Sequence, residues 1–291
     1  MKHNLKITLT LILIFLLAQF TGLFVVNHYL DHDLPYDLQP PEIENKSYSF
    51  IPIIIGIVLG TLVFLLLAKF RKPFILKLWF FLTIWLTLSL SFNAFFNSTI
   101  AAILAIFFSV YRMVRPNIIV HNLTEIFIYG GLAAFLIPIF NIFSAILLLI
   151  FISIYDIIAV WKTKHMVTLA EFQRKSKLFA GISISYNKDK TSNKIIKKDH
   201  KKSKTITKKV SSAVLGGGDI GFPLIFASVV LKNLLQTEPI TSAFLKTSII
   251  PIITAIALLI LLLKGEKDKY YPAMPFLSAG VFLGYIIVLL L

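Results

Sequence analysis

Three carboxylates stand inside apolar runs of this chain, where a charge is expensive: Glu125, Asp156 and Asp219. The rest of its 14 acidic residues fall in polar segments. Asp156 follows Tyr155 near the end of a run that closes at Trp161. Asp219 follows Gly216-Gly217-Gly218 and opens the run Ile220 to Leu231, which has no charged residue. Two carboxyl groups brought together in a low-dielectric site cannot both ionise cheaply, so one proton is shared between them. Such a pair suits hydrolysis of a peptide bond. The charged member takes a proton from water, and the protonated member hydrogen-bonds to the carbonyl and later serves the leaving amine. Neither a metal nor a covalent intermediate is needed.

The elements that must position the two aspartates are read from hydropathy. Of 291 residues, 57% are hydrophobic and 15% charged, with mean hydropathy +0.83. Soluble domains carry about a quarter charged residues. The apolar runs are continuous and reach the ~20 residues that a membrane helix needs, which argues against an alternating β-barrel pattern. The expected fold is an all-α polytopic membrane protein with nine spans: 7–26, 51–68, 74–95, 98–114, 118–137, 142–161, 213–235, 244–263 and 270–291. The first run is too long, and lacks a clear cleavage site, for a secretory signal. There are no cysteines, so disulfides, thiolate metal sites and a cysteine nucleophile are excluded.

Charge sets the expected topology. The formal net charge of +15 is concentrated in residues 162–209, where 14 Lys and one Arg meet Glu171, Asp189 and Asp199. With the N-terminus in the cytoplasm and the C-terminus outside, every predicted inner segment is basic: Met1–Lys6, Lys69–Lys72, Arg112–Arg115, 162–209 and Lys264–Lys269. The outer segments, including the acidic loop 27–50, are acidic or neutral, as the positive-inside rule requires. Lys232 and Lys246 flank an outer turn and are expected to snorkel. The chain thus divides into helices 1–6 (1–161), a lysine-rich cytoplasmic loop, partly disordered (162–212), and helices 7–9 (213–291). Asp156 and Asp219 then reach similar depth from the cytoplasmic face, on the order of 8–9 Å at 1.5 Å per residue.

Each residue also has a plainer reading. A lone Asp156 would serve as polar glue between helices. Glu125 is read as structural. Gly217 and Gly221 form a GxxxG pair suited to helix packing. Tyr155 would be an interfacial aromatic. His28 and His32, beside Asp31 and Asp33, offer weak metal ligands; no metal or cofactor is expected. The lysine-rich loop reads as a solvated linker that touches anionic lipid. Nucleic-acid binding is not expected, because only Tyr186 interleaves with the lysines. Gly216, Gly217 and Gly218 would let backbone approach closely, so that an extended substrate could pair there as an added strand.

Taken together, Tyr155-Asp156, Gly216-Gly217-Gly218-Asp219 and Pro272-Ala273-Met274 resemble the YD, GxGD and PAL motifs of the presenilin and signal peptide peptidase family of intramembrane aspartyl proteases. The resemblance extends over the whole chain, including the long loop between spans six and seven. It implies that Asp156 and Asp219 are the catalytic dyad, that Tyr155 lies by the active site, and that Pro272 and Ala273 shape the site and receive substrate. Met274 departs from the family leucine, a volume-conserving change. The charge pattern matches the presenilin orientation. The compact loops suggest a stand-alone microbial, archaeal-type homologue in the plasma membrane. Its partners would be transmembrane peptides and lipid, with homo-oligomerisation left open.

Other classes fit less well. There is no HExxH zinc motif and no GxSxG elbow. Prepilin peptidases carry a similar GxGD element but usually a lysine two residues after the aspartate, where this chain has Gly221. The main alternative from another class is an ion or proton-coupled transporter or leak channel that uses the same intramembrane carboxylates.

Overall fold

A computed structural model of the chain describes residues 5–40, 43, 45–69, 73–115, 117–162, 179–187, 210–265 and 271–291. Among them are nine α-helices: α1 (Leu5–Leu30), α2 (Phe50–Lys69), α3 (Pro73–Asn93), α4 (Ser98–Val114), α5 (Ile118–Leu136), α6 (Ile142–Ile157), α7 (Gly217–Leu234), α8 (Ile240–Lys264) and α9 (Met274–Leu290). An antiparallel hairpin of β1 (Gly181–Asn187) and β2 (Val210–Gly216) precedes α7. Seven of the helical segments are long and apolar enough to cross a membrane by themselves; α4 and α9, at 17 residues each, are shorter.

The helix starts follow from side chains that satisfy otherwise unpaired backbone N–H groups. Asn97 accepts from the Ile100 N–H and Asn117 from the Ile119 N–H. Asn141 and Ser144 form a reciprocal capping box. The split between the fifth and sixth spans thus lies at Pro138 and Asn141, with Ile137–Ile139 drawn into a 3₁₀ turn.

Beyond a longer α1 and an earlier start of α8, three boundaries near the aspartates differ from the hydropathy reading. First, residues 213–216 are not helix: they complete β2, and α7 begins at Gly217. The reason is local alternation. Ile182, Ala213 and Leu215 bury one face of the hairpin while Val214 is exposed on the other, a period-2 pattern no helix could satisfy. Second, α6 ends one residue after Asp156 and widens into a π-turn at Ile158–Lys162. Third, α9 starts at Met274, four residues late. Tyr271 precedes Pro272 and is therefore biased to extended backbone. The parts of the lysine-rich loop at 163–178 and 188–209 lie outside the described residues.

The helix that carries Asp219 is the hub. From Ile220 to Leu231, only Phe222 of α7 is not buried, because α1, α5, α6, α8 and α9 all pack on it. A helix enclosed on every side must be apolar all round. At the other extreme, α2 buries none of its described side chains and packs chiefly on α3 and α6. Close helix contact comes from glycine at few points. A Cβ on Gly284 of α9 would stand 2.8 Å from the Ile250 Cα of α8, and one on Gly131 of α5 would overlap the Thr87 carbonyl of α3. A smaller aromatic core around Phe92, Phe108 and Phe127 joins α3, α4 and α5.

The two awkward lysines do not simply reach outward. The Lys232 ammonium donates to the Ile137 and Phe140 carbonyls at 3.0 and 3.1 Å. It closes the open end of α5 and ties it to α7. Lys246 pairs with Glu238 at 2.7 Å across the outer turn.

Candidate active site

Asp156 lies in the last turn of α6 and is 6% exposed. Its Oδ2 accepts a hydrogen bond from the Met274 backbone N–H at 3.0 Å, and the Ala273 N–H also serves the carboxylate. These amides belong to the start of α9, where N–H groups have no intrahelical acceptor and the helix dipole favours negative charge. Here Pro272-Ala273-Met274 acquires a physical meaning. Pro272 holds the chain out of helix long enough to aim two amides at a carboxylate on another helix. One turn earlier along α6, Ser153 and Ser278 share a hydrogen bond of 2.8 Å. This second tie keeps α6 and α9 in register.

Asp219 is the third residue of α7. Gly216 is the N-cap, and its backbone N–H is directed at the Asp219 carboxylate. This is half of a capping box, with the acidic side chain reaching back over the first turn. The first turn is therefore built without a bulky side chain at the cap, and Asp219 stays partly exposed. Asp156 and Asp219 are close enough for the charge of one to act on the other. They arrive from the end of α6 and the beginning of α7.

The remaining expected residues lie on or beside the elements that carry the two aspartates. Gly217 extends the hairpin through a bond from its N–H to the Ala180 carbonyl at 3.2 Å. A Cβ on Gly217 would lie 2.8 Å from the Tyr129 hydroxyl, and one on Gly218 would lie 3.2 Å from the Phe222 ring. Gly221 also faces the Tyr129 ring, so the GxxxG pair accommodates an aromatic side chain of α5. Pro272 is buried. Tyr155 is part-buried and lines an apolar cavity of about 220 Å³ between α6 and Ile54, Ile57 and Val58 of α2.

Several residues of the site escape a reading of the sequence. Arg112 and Glu125 form a buried ion pair at 2.5 Å, and the Tyr129 hydroxyl donates to the other Glu125 oxygen. Arg112 also donates to Thr124 and to the Phe179 carbonyl. Glu125 is thus structural, as expected, but its partners lead to Gly217. The signals are present in two forms: an arginine 13 positions before a glutamate inside apolar runs, and the alternation Gly-Ile-Ser-Ile-Ser-Tyr and Val-Ser-Ser-Ala-Val-Leu at the loop edges. His28 and His32 stack on each other at 4.4 Å. Among the described residues, no three His, Asp or Glu side chains converge as a metal site would require.

A family model described as signal-peptide peptidase, presenilin aspartyl protease matches residues 12–291. The fold is similar to a solved presenilin family intramembrane aspartate protease in a C222 crystal form, with TM-score 0.63 and 20% identity over 97% of this chain and 98% of that one. It is also similar to one in a P2 form, with TM-score 0.59 and 18% identity over 97% of each chain. No curated protein sequence matches.

Proposed function

Because the chain belongs to the signal-peptide peptidase and presenilin family of aspartyl proteases, we propose that Asp156 and Asp219 are the dyad with which it cuts peptide bonds inside the membrane. It is an intramembrane aspartic endopeptidase of the multi-pass membrane type. The observation that supports the assignment is that these two carboxylates lie near enough for their charges to interact, one under the amides of Ala273 and Met274, the other under the amide of Gly216. The shared proton belongs to the pair. Water held between the carboxylates loses a proton to the ionised member as it attacks the substrate carbonyl. The protonated member hydrogen-bonds to the carbonyl oxygen and then helps protonate the departing nitrogen. Nothing in the fold or the family favours the ion-transport alternative.

The substrate is a membrane-spanning peptide that must become extended to expose a scissile bond, since helical backbone keeps its carbonyls occupied. In this reading the peptide adds as a strand to the outer edge of β2, which leads straight into Gly216–Asp219. Gly217 and Gly218 leave the room for it, and Tyr155, Pro272, Ala273 and Met274 shape the wall of the site. The charge distribution supports a cytoplasmic N-terminus and a cytoplasmic 162–212 loop that contacts anionic lipid, and the compact loops support residence in the plasma membrane of a microbe. The test is cleavage of a single-span peptide by purified protein in detergent. Asp156→Ala and Asp219→Ala should each abolish product while leaving the protein monodisperse. Product from either variant at a wild-type rate would overturn the dyad.

A further inference from the structure

The hairpin has two outer edges, and they are treated differently. Along β1 and the residues leading into it, every second carbonyl faces away from β2. Phe179 O accepts from Arg112 at 3.0 Å, Gly181 O bonds with His121 Nε2 at 2.7 Å, and Ser183 O accepts from Asn122 Nδ2 at 2.8 Å. Asn122 also takes the Ser183 N–H on its Oδ1 at 3.0 Å. Its amide therefore makes the same two bonds to Ser183 that a facing residue of a neighbouring antiparallel strand would make. Three side chains of α4 and α5 stand where a third strand would lie.

The register gives the opposite edge. Ile182 pairs with Leu215 and Ser183 with Val214. In an antiparallel ladder, inward and outward backbone groups alternate. Since Ser183 bonds outward to Asn122, its partner Val214 turns its own N–H and carbonyl to the free side of β2. Among the described residues, nothing occupies the Val214 backbone. Two positions on, the Gly216 N–H also turns outward and is directed at the Asp219 carboxylate. A strand placed on this edge would run directly to the dyad.

We propose that Asn122, supported by His121 and Arg112, is a positioning residue that closes the β1 edge and sets the height of the hairpin, so that it determines which substrate bond meets Asp156 and Asp219. The inference rests on the reading that substrate adds to β2. Asn122 does not touch the reacting atoms. It acts through Ser183, and through the ladder on Val214. A hairpin freed from Asn122 slips along α5, and the bound strand slips with it. Slippage in steps of two residues keeps each side chain on its own face.

The experiment uses the full-length protein in detergent with a single-span peptide, reading kcat, KM and the cleavage positions by mass spectrometry. Asn122→Leu removes both bonds to Ser183. It should lower kcat/KM about tenfold, as loss of two hydrogen bonds of ordinary net strength implies, and add products displaced by two residues. Ser183→Pro deletes an N–H that only Asn122 uses and spares the bonds to β2, since proline is tolerated on an edge. It should displace the products in the same way and carries the test if Asn122→Leu does not fold. Combining both changes should be no worse than Asn122→Leu alone. A purely structural role would lower the yield of folded protein and leave the cleavage position unchanged. Wild-type positions and kcat/KM in both variants, with Asp156→Ala inactive, would overturn this inference and leave the dyad standing. Cleavage by Asp156→Ala or Asp219→Ala would overturn the dyad itself, and this inference with it.

Discussion

The two aspartates are held by opposite means. Asp156 depends on partners from far along the chain: the Met274 amide is 118 positions away, and the Ser153–Ser278 tie spans 125. Asp219 is held by its own turn, with the Gly216 amide three residues back, and that turn is steadied by α5. One carboxylate is placed by docking α9 against α6. The other is placed by local backbone geometry that a buried polar cluster supports. A proteolytic site that must let a substrate strand in needs one fixed half and one half continuous with the strand's own docking edge. The Asp156 side fits the first description, and the hairpin leading to Asp219 fits the second.

Four substitutions would break or sharpen this contrast. The largest effect is expected at Glu125. Glu125→Ala leaves Arg112 buried without its counter-charge and Tyr129 without its acceptor. Removing one partner of a buried pair costs about 3–5 kcal/mol. A large fall in thermal midpoint should follow, and hydrogen exchange should rise in α5, β1 and the start of α7 before it rises in α6 and α9. An unchanged midpoint would show that the cluster does not hold the Asp219 half.

Next in size is Gly217→Val. The added carbons would meet the Tyr129 hydroxyl at 2.8 Å and press it away from Glu125. Gly218→Val meets only the Phe222 ring, at 3.2 Å, on the more open side of the turn. Overpacking typically costs about 1–3 kcal/mol. Peptide cleavage should fall in both variants and fall further for Gly217→Val, with the protein still folded. Equal turnover in both variants would remove Tyr129 from the account.

The smallest effect belongs to the fixed half. Ser278→Ala deletes one hydrogen bond between α6 and α9, worth about 1 kcal/mol, while the Met274 amide still holds Asp156. A few-fold loss of kcat with unchanged cleavage positions is expected. A shift in those positions would mean that the Asp156 half also sets the register, and the contrast between the halves would fail.

Much of this molecule is legible in its residue types and their spacing. The apolar runs announce a multi-span protein, and α4 and α5 begin where hydropathy places them, at Ser98 and Ile118. Asp156 and Asp219 stand out because burying charge in an apolar segment is costly wherever it occurs. The asparagines at the turns, Asn97, Asn117 and Asn141, act as caps through contacts within three residues. These are properties of short stretches, determined by side-chain type and spacing alone.

What the sequence does not reveal depends on distant groups. The hairpin is hidden because its strands are only seven residues each, at the edges of a lysine-rich segment, and strand formation is governed by what packs on the strand more than by intrinsic preference. Only the tertiary structure decided that Asn122 would take the place of a strand against Ser183, that Arg112 would find Glu125, and that the amides of Ala273 and Met274 would face Asp156. Sequence alone determined that Asp156 and Asp219, like Glu125, would be carried into apolar runs, because the cost of burying charge is local. The assembled fold decided where each of their hydrogen bonds comes from, because a hydrogen bond between distant segments exists only once packing has brought donor and acceptor within about 3 Å.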